Sequence, residues 1–406
     1  MPLCVMQKNN VILKMDNNHN LSEEEVDDSF IDAGDGTEKE LVDDQARLME
    51  KPFDPTLIKI ETKTPSLDTL IKRIERKSIQ MNTETYFQRK DDLWDKTKQS
   101  RLIESILIRF PLPAFFFDAS DDNNWLVVDG LQRLSSIRNF VVDKTQALTN
   151  LEFLTHLNGK YWDDLTEDLQ RVIEEAQVVI YKIMPGTPTD VKFNIFKRIN
   201  TGGLILEPQE IRHALFQGRP ATFIYELANL KAFKEATNNK IKPDRMLDRD
   251  FANRFLGFYL LGIENYGTKD FGYDLDSYMS KAMAEIYSKS EDELENISIA
   301  FKTSMQLAKN IFGDEAFRKV RVGNRRLPPI NKALFDALST QLALLSEDEV
   351  TCLKNNKATF KTKLKEELTN NEVFFLAVTS GTGDKTKVLT RHNKIKELIN
   401  QSLEND

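Results

Sequence analysis

Little in this sequence supports covalent cross-linking or membrane insertion. Its two cysteines, Cys4 and Cys352, lie far apart and suit neither a disulfide framework nor a zinc site. No apolar run approaches the length of a membrane-crossing helix. Met1-Pro2-Leu3-Cys4-Val5 lacks the basic and apolar regions of a secretory signal. These absences together predict a cytoplasmic chain in a reducing compartment. Histidine is also scarce, with only His19, His156, His213 and His392. No internal repeat is visible.

Charge is present but unevenly placed. The formal net charge is -8. Residues 1–54 hold 14 Asp/Glu against 5 Lys/Arg, and the remainder holds 51 Lys/Arg against 50 Asp/Glu. The body is therefore near neutral, and bulk charge argues neither for nor against nucleic acid. Runs such as Ser22-Glu23-Glu24-Glu25 and Asp32-Ala33-Gly34-Asp35-Gly36 have too little apolar surface to offset ordering entropy. Residues 1–54 are expected to form a disordered acidic tail, either simply solvated or shielding a basic groove.

Globular patterning begins near residue 66. Ser66 precedes a predicted helix with Leu67, Leu70, Ile71 and Ile74 on one face. A second helix, about 93–109, turns Leu102, Ile103, Ile106 and Leu107 inward. Ala114-Phe115-Phe116-Phe117 and Trp125-Leu126-Val127-Val128 read as strands joined by the turn Asp121-Asp122-Asn123-Asn124. A helix follows Gly130, with Leu131, Leu134, Ile137 and Phe140 at spacing three. After a helix at about 166–176, Val178–Ile183 reads as a third strand. A helix starts at Thr187-Pro188 and runs to about Ile199, and another spans about 208–218. The rest shows almost only helical periodicity, at about 221–236, 246–262, 274–288, 291–311, 331–345, 348–367 and 385–403. The expected fold is α+β, with a small domain at 55–218 followed by an all-α domain at 219–406.

Three segments carry candidate chemistry. In Asp129-Gly130-Leu131-Gln132-Arg133 a strand ends, glycine permits a tight turn and a helix begins, so free N–H groups and the positive dipole end favour an anion. Gln132 and Arg133 lie off the apolar stripe; Arg133 offers a planar fork for phosphate, and Asp129 a ligand for metal or water. An ordinary strand–turn–helix with a surface arginine is the plain alternative. In Phe196-Lys197-Arg198-Ile199-Asn200-Thr201-Gly202-Gly203, Arg198 and Asn200 sit where a helix ends before a glycine pair, which also suits ordinary C-capping. Tyr86-Phe87-Gln88-Arg89, followed by Trp94, supplies a further cation or simply a solvated arginine. Ser380-Gly381-Thr382-Gly383-Asp384-Lys385-Thr386 mimics a phosphate-binding loop but has Asp384 where that loop requires glycine; it reads as an inter-helix connection.

Taken in order, these segments resemble the N-terminal domain of GmrSD-type modification-dependent restriction proteins, known for a D-G-Q-Q-R motif. The resemblance runs from about Leu67 to Gly218. It also includes Leu102-Ile103-Glu104-Ser105-Ile106-Leu107, Pro111-Leu112-Pro113 and Gln209-Glu210-Ile211-Arg212. It implies a ParB/sulfiredoxin-like fold whose turn-and-helix motif binds nucleotide phosphates, with NTP binding and hydrolysis linked to that motif. The resulting expectation is an NTP-binding, possibly hydrolysing, protein of a microbial defence, restriction-modification or DNA-transaction system. Gln88, Arg89, Gly130, Gln132, Arg133, Arg198 and Asn200 would meet nucleotide. Asp129 and Arg133 would be catalytic, with Asp129, Asn200 and Glu210 toward Mg²⁺. Alternatives are a non-hydrolysing nucleotide switch or partner subunit, and a DNA nickase or endonuclease; DNA would be met directly or through a partner.

Two departures stand out. Leu131 replaces the first Gln of the motif, on the apolar stripe. The His-Asn-His nuclease half commonly paired with this domain is not found, since such a site needs a general-base His beside further ligands. Arg391-His392-Asn393 is only a superficial echo, and His213 reads as a helix-surface or internally satisfied residue.

Overall fold

Alternation of side chains along three short strands decides what lies on each side of the sheet. The computed structural model describes residues 36–38, 55–81, 94–199, 206–324 and 326–404. Its first part comprises β1 (Ile60–Lys63), α1 (Leu67–Glu75), β2 (Ile79–Gln80), α2 (Lys96–Leu107), β3 (Phe115–Asp118), β4 (Trp125–Asp129), α3 (Leu131–Ile137), α4 (Glu167–Glu175), β5 (Ile180–Ile183), α5 (Thr189–Ile199) and α6 (Pro208–Leu215). The strands form a five-stranded sheet in the order β1-β5-β3-β4-β2. It is mixed: β3 runs antiparallel to β4 and parallel to β5, β1 antiparallel to β5, and β2 parallel to β4.

Phe115, Phe117, Trp125 and Ile180 face one side, where α1, α2 and α3 bring Leu70, Ile74, Leu102, Ile106, Leu134 and Ile137. Leu126, Val128 and Ile183 face the other, covered by Val191, Ile195 and Phe196 of α5 and Ile211 of α6. The three central strands and their covering helices match the sequence expectation. The edge strands do not appear in it, because β1 reads Ile-Glu-Thr-Lys and β2 is two residues long. Pairing with a neighbour, not an apolar pattern, specifies them.

The second part is helical, as expected: α7 (Arg219–Asn229), α8 (Lys231–Ala236), α9 (Leu247–Leu261), α10 (Leu275–Glu285), α11 (Glu291–Phe312), α12 (Lys332–Ala343), α13 (Glu347–Asn355), α14 (Lys357–Asn370), α15 (Glu372–Ala377) and α16 (Lys385–Leu403). Two stretches read as single helices are divided, one at Leu230, with ψ of 131°, and one at Asn356. Among the described residues no helix is long and apolar enough to cross a membrane. Within the acidic stretch 1–54, residues 36–38 belong to the fold. Thr37 and Glu38 are buried, and the Glu38 N–H donates to the Ile330 carbonyl at 2.8 Å.

A chain of ion pairs runs through the helical interior. Arg212 of α6, 1% exposed, donates to Asp250 of α9 at 3.1 Å and to Asp276 of α10 at 2.7 Å. Asp250 also meets Arg254 at 3.2 Å and Lys332 at 3.3 Å. Arg254 and Arg391 each lie 3.1 Å from the same oxygen of Asp336. Burial opposes the charge on Asp250, but Lys332, Arg254 and Arg212 outweigh it and hold its pKa far below the ordinary range. His213 is buried, not at the helix surface. Desolvation, aided by the Arg249 charge, pushes it down to about 3.

Arg212→Met should therefore cost about 3 kcal/mol by denaturant unfolding, since it strands buried carboxylates. Between pH 6.5 and about 3 the unfolded chain binds a proton that folded His213 refuses, so stability should fall as pH drops through that window. Asp250 should add a further loss below about pH 4, where unfolded aspartates protonate first. Urea melts across that range should show a shallower slope for His213→Gln than for the wild type. Parallel slopes would remove His213 from the acid response.

Candidate functional site

β4 ends at Asp129 and α3 begins at Leu131, so Gly130 alone turns the chain. It has φ of +101°, and a Cβ there would lie 2.5 Å from Phe115 Cδ1. Glycine alone meets both conditions. The first N–H groups of α3 have no partner within the helix, and the positive end of its dipole lies there. α3 continues directly into a π turn at Arg138–Val142.

Arg133 points inward from that turn. It is 8% exposed and lies over the Phe115 ring at 4.6 Å. Its guanidinium donates to the Pro113 carbonyl, to the Ala114 carbonyl at 3.1 Å and to Asp129 Oδ2 at 2.8 Å. Burial lowers its pKa from the ordinary arginine value, and the Asp129 charge counters that effect. Arg133 therefore fastens the entry to β3 onto the end of β4, and Asp129 is the half-exposed member of the pair.

Gln132 lies at the rim. Its Oε1 accepts the Trp94 N–H at 3.3 Å. Gln99 donates to the Trp94 carbonyl at 2.7 Å and accepts from Asn139 at 3.2 Å. Gln88, Arg89 and Asn200 lie outside the described residues, as does Thr201-Gly202-Gly203. Trp94, five positions after Arg89, nevertheless meets the turn. Arg198 is exposed in the last turn of α5, the helix whose Ile195 and Phe196 cover Val128 of β4.

Glu210 has a different task. Its Oε2 accepts the Glu207 N–H at 2.7 Å and lies 2.9 Å from Arg245, which makes it the capping carboxylate of α6. Asp129 is likewise engaged, by Arg133. Among the described residues no group of three or more His, Cys, Asp and Glu could hold a metal ion.

Several polar residues with clear tasks escape sequence reading. Lys192 of α5 lies 2.9 Å from Asp118 Oδ2 and touches the Ser120 hydroxyl. Ser120 in turn donates its N–H to Asp118 at 2.9 Å. This cluster of Asp118, Ser120 and Lys192 closes the end of β3. Asp118-Ala119-Ser120, a short Asx-type turn, is the only local signal for it. Glu104 accepts three N–H groups, from Glu152, Phe153 and Leu154. Asp384, in the loop-like Ser380–Thr386 stretch, caps α16 by accepting the Lys387 N–H at 3.1 Å.

Residues 67–217 match the family model described as GmrSD restriction endonuclease, N-terminal domain, the segment in which the ordered motifs fall. The match covers β2 to β5, the turn and both helices on the far side of the sheet, and begins after β1. It makes this part of the chain similar to the N-terminal domain of a restriction system. No curated protein and no solved structure matches the chain.

The contacts of Arg133 predict a stability phenotype. Arg133→Lys keeps the charge but cannot span two carbonyls and a carboxylate, so unfolding free energy should drop by about 1–3 kcal/mol. Asp129→Asn should cost less, because Asp129 is half exposed. Chemical denaturation of both variants checks the order, and a neutral Arg133→Lys would refute the inward role.

Proposed function

We propose that residues 67–217 bind a nucleoside triphosphate at the Asp129–Arg133 turn and serve a restriction or defence system. The observation that carries this reading is the turn itself: a strand running into a helix through a position that only glycine can hold. The match to a restriction endonuclease N-terminal domain supports it. In this reading the main-chain N–H groups at the start of α3 meet phosphate oxygens. Arg198, and Arg89 from the segment ahead of Trp94, supply cationic charge, while Gln132 and Asn200 offer hydrogen bonds. Arg133 is a positioning residue. Mg²⁺ travels with the triphosphate, held by phosphate oxygens and water. Hydrolysis, if it occurs, relies on Asp129 to orient water, since phosphoryl transfer is mainly a matter of positioning and charge.

One observation favours a second reading, a nucleotide-dependent switch. Gln209 and Arg212 of the segment Gln209-Glu210-Ile211-Arg212 reach Asn253, Asp250 and Asp276 in the helical region. The nucleotide domain is thus wired to those helices, and a ligand that prefers one arrangement shifts the balance between two.

Calorimetry with ATP, GTP, CTP and UTP, each with Mg²⁺, should show saturable binding of at least one by the wild type. Arg198→Ala should weaken it about tenfold, or ~1.4 kcal/mol. No binding of any of the four would defeat the proposal. Phosphate release over hours separates the two readings: turnover supports hydrolysis, and stable occupancy supports the switch.

A further inference from the structure

Three residues of the acidic N-terminal stretch are seated in the helical region. Ile330 donates its N–H to the Gly36 carbonyl at 3.2 Å and accepts the Glu38 N–H at 2.8 Å, placing Thr37 beside Ile330 as a single parallel bridge. The Glu38 carboxylate receives Lys319 Nζ at 2.5 Å and Asn331 Nδ2 at 2.9 Å. All three side chains are buried, Lys319 completely so. Gly36 has φ of +86°, and a Cβ there would lie 2.9 Å from the Lys240 carbonyl.

Each of the three positions is therefore read by a different physical means. The first admits glycine alone, through its backbone angle and its close approach to Lys240. The second is enclosed. The third needs a carboxylate, because a buried ammonium without one carries a large desolvation cost. Lys319 also donates to the Thr379 hydroxyl at 2.8 Å, but a hydroxyl does not neutralise it. Pairing an added strand through its main chain while a pocket reads one side chain is a recurrent mode of peptide recognition.

We infer that Lys319, Ile330 and Asn331 form a socket for an extended peptide of the form Gly-x-Glu, filled in cis by Gly36–Glu38. This docking is a detachable latch that holds Gly36–Glu38 against the helices. Among the described residues the contact comprises the two main-chain hydrogen bonds to Ile330, the Lys319 ion pair and the Asn331 hydrogen bond, and its exchange is what the test reads. It is independent of the nucleotide reading.

The test uses the full chain and a fluorescein-labelled peptide with the sequence of residues 31–43, followed by anisotropy. Glu38→Ala weakens the resident segment, so this variant should bind the peptide saturably. The wild type should bind at least tenfold more weakly, because its own segment competes. Glu38→Ala combined with Lys319→Met should bind none, and neither variant should bind a peptide in which Glu38 is Ala. Should Glu38→Ala fail to fold, hydrogen exchange on the wild type substitutes. Excess peptide should then accelerate exchange at the Glu38 amide of the chain itself, and a peptide without the glutamate should not. No binding to a folded Glu38→Ala chain, or no acceleration, overturns the socket. A Glu38-dependent dimer in light scattering overturns the cis assignment.

Discussion

The buried guanidinium of Arg212 is the constraint on which the arrangement of the two halves depends. A cation this enclosed has to be met by carboxylates, and it is met by two, Asp250 and Asp276. Its immediate neighbour, Ile211, faces the sheet. Adjacent residues on a helix point about 100° apart, so α6 presents an apolar stripe to β4 and β5 and a charged one to α9 and α10. The position of α6 above the sheet is thereby tied to the helical region. From Asp250 the charges continue through Arg254 and Asp336 to Arg391, so a helix near the C-terminus takes part in holding the sheet's cover.

What could be read beforehand follows the range of the interactions involved. The three central strands are predominantly apolar and aromatic runs, and the helices repeat their apolar residues at helical spacing, so both were legible locally. β1 and β2 were not, since nothing in Ile60–Lys63 or Ile79–Gln80 separates them from loop. At the turn, Gly130 was legible because it sits between a strand and a helix. The inward aim of Arg133 was not. It lies off the Leu131–Leu134–Ile137 stripe, and its partners are the carbonyls of Pro113 and Ala114, which no side-chain pattern marks. Glu210 was assigned toward Mg²⁺ and is instead taken up by the Glu207 N–H and Arg245, while Arg212 was given no role because its carboxylate partners lie 38 and 64 residues further along.

The pairing of Asp129 with Arg133 changes what the turn can supply. Their charges cancel locally, which leaves the helix N-terminus as its source of positive potential. That source is worth about 0.3–2 kcal/mol, whereas even millimolar affinity requires about 4 kcal/mol. The turn can shape a phosphate site without filling it unaided. On the proposed reading further cations have to converge on it, and this is why Arg198 and Arg89 matter more to that reading than the arginine within the motif.

The same magnitudes indicate where the molecule would yield if a ligand at the turn moved anything. α6 is held on one side by Ile211 and Ala214 against the sheet, and on the other by Arg212 in its carboxylate cage. Separating one apolar side chain from its neighbours costs about 1.5–3 kcal/mol, and breaking a buried ion pair about 3–5 kcal/mol. Buried ion pairs also have little tolerance for partial displacement, since their attraction has to offset desolvation at short range. α6 should therefore travel with the helical region, and the apolar seam between α6 and the sheet is the surface that gives. Coupling between the turn and the helices would then be read as a change in that seam, with the Arg212 cage intact.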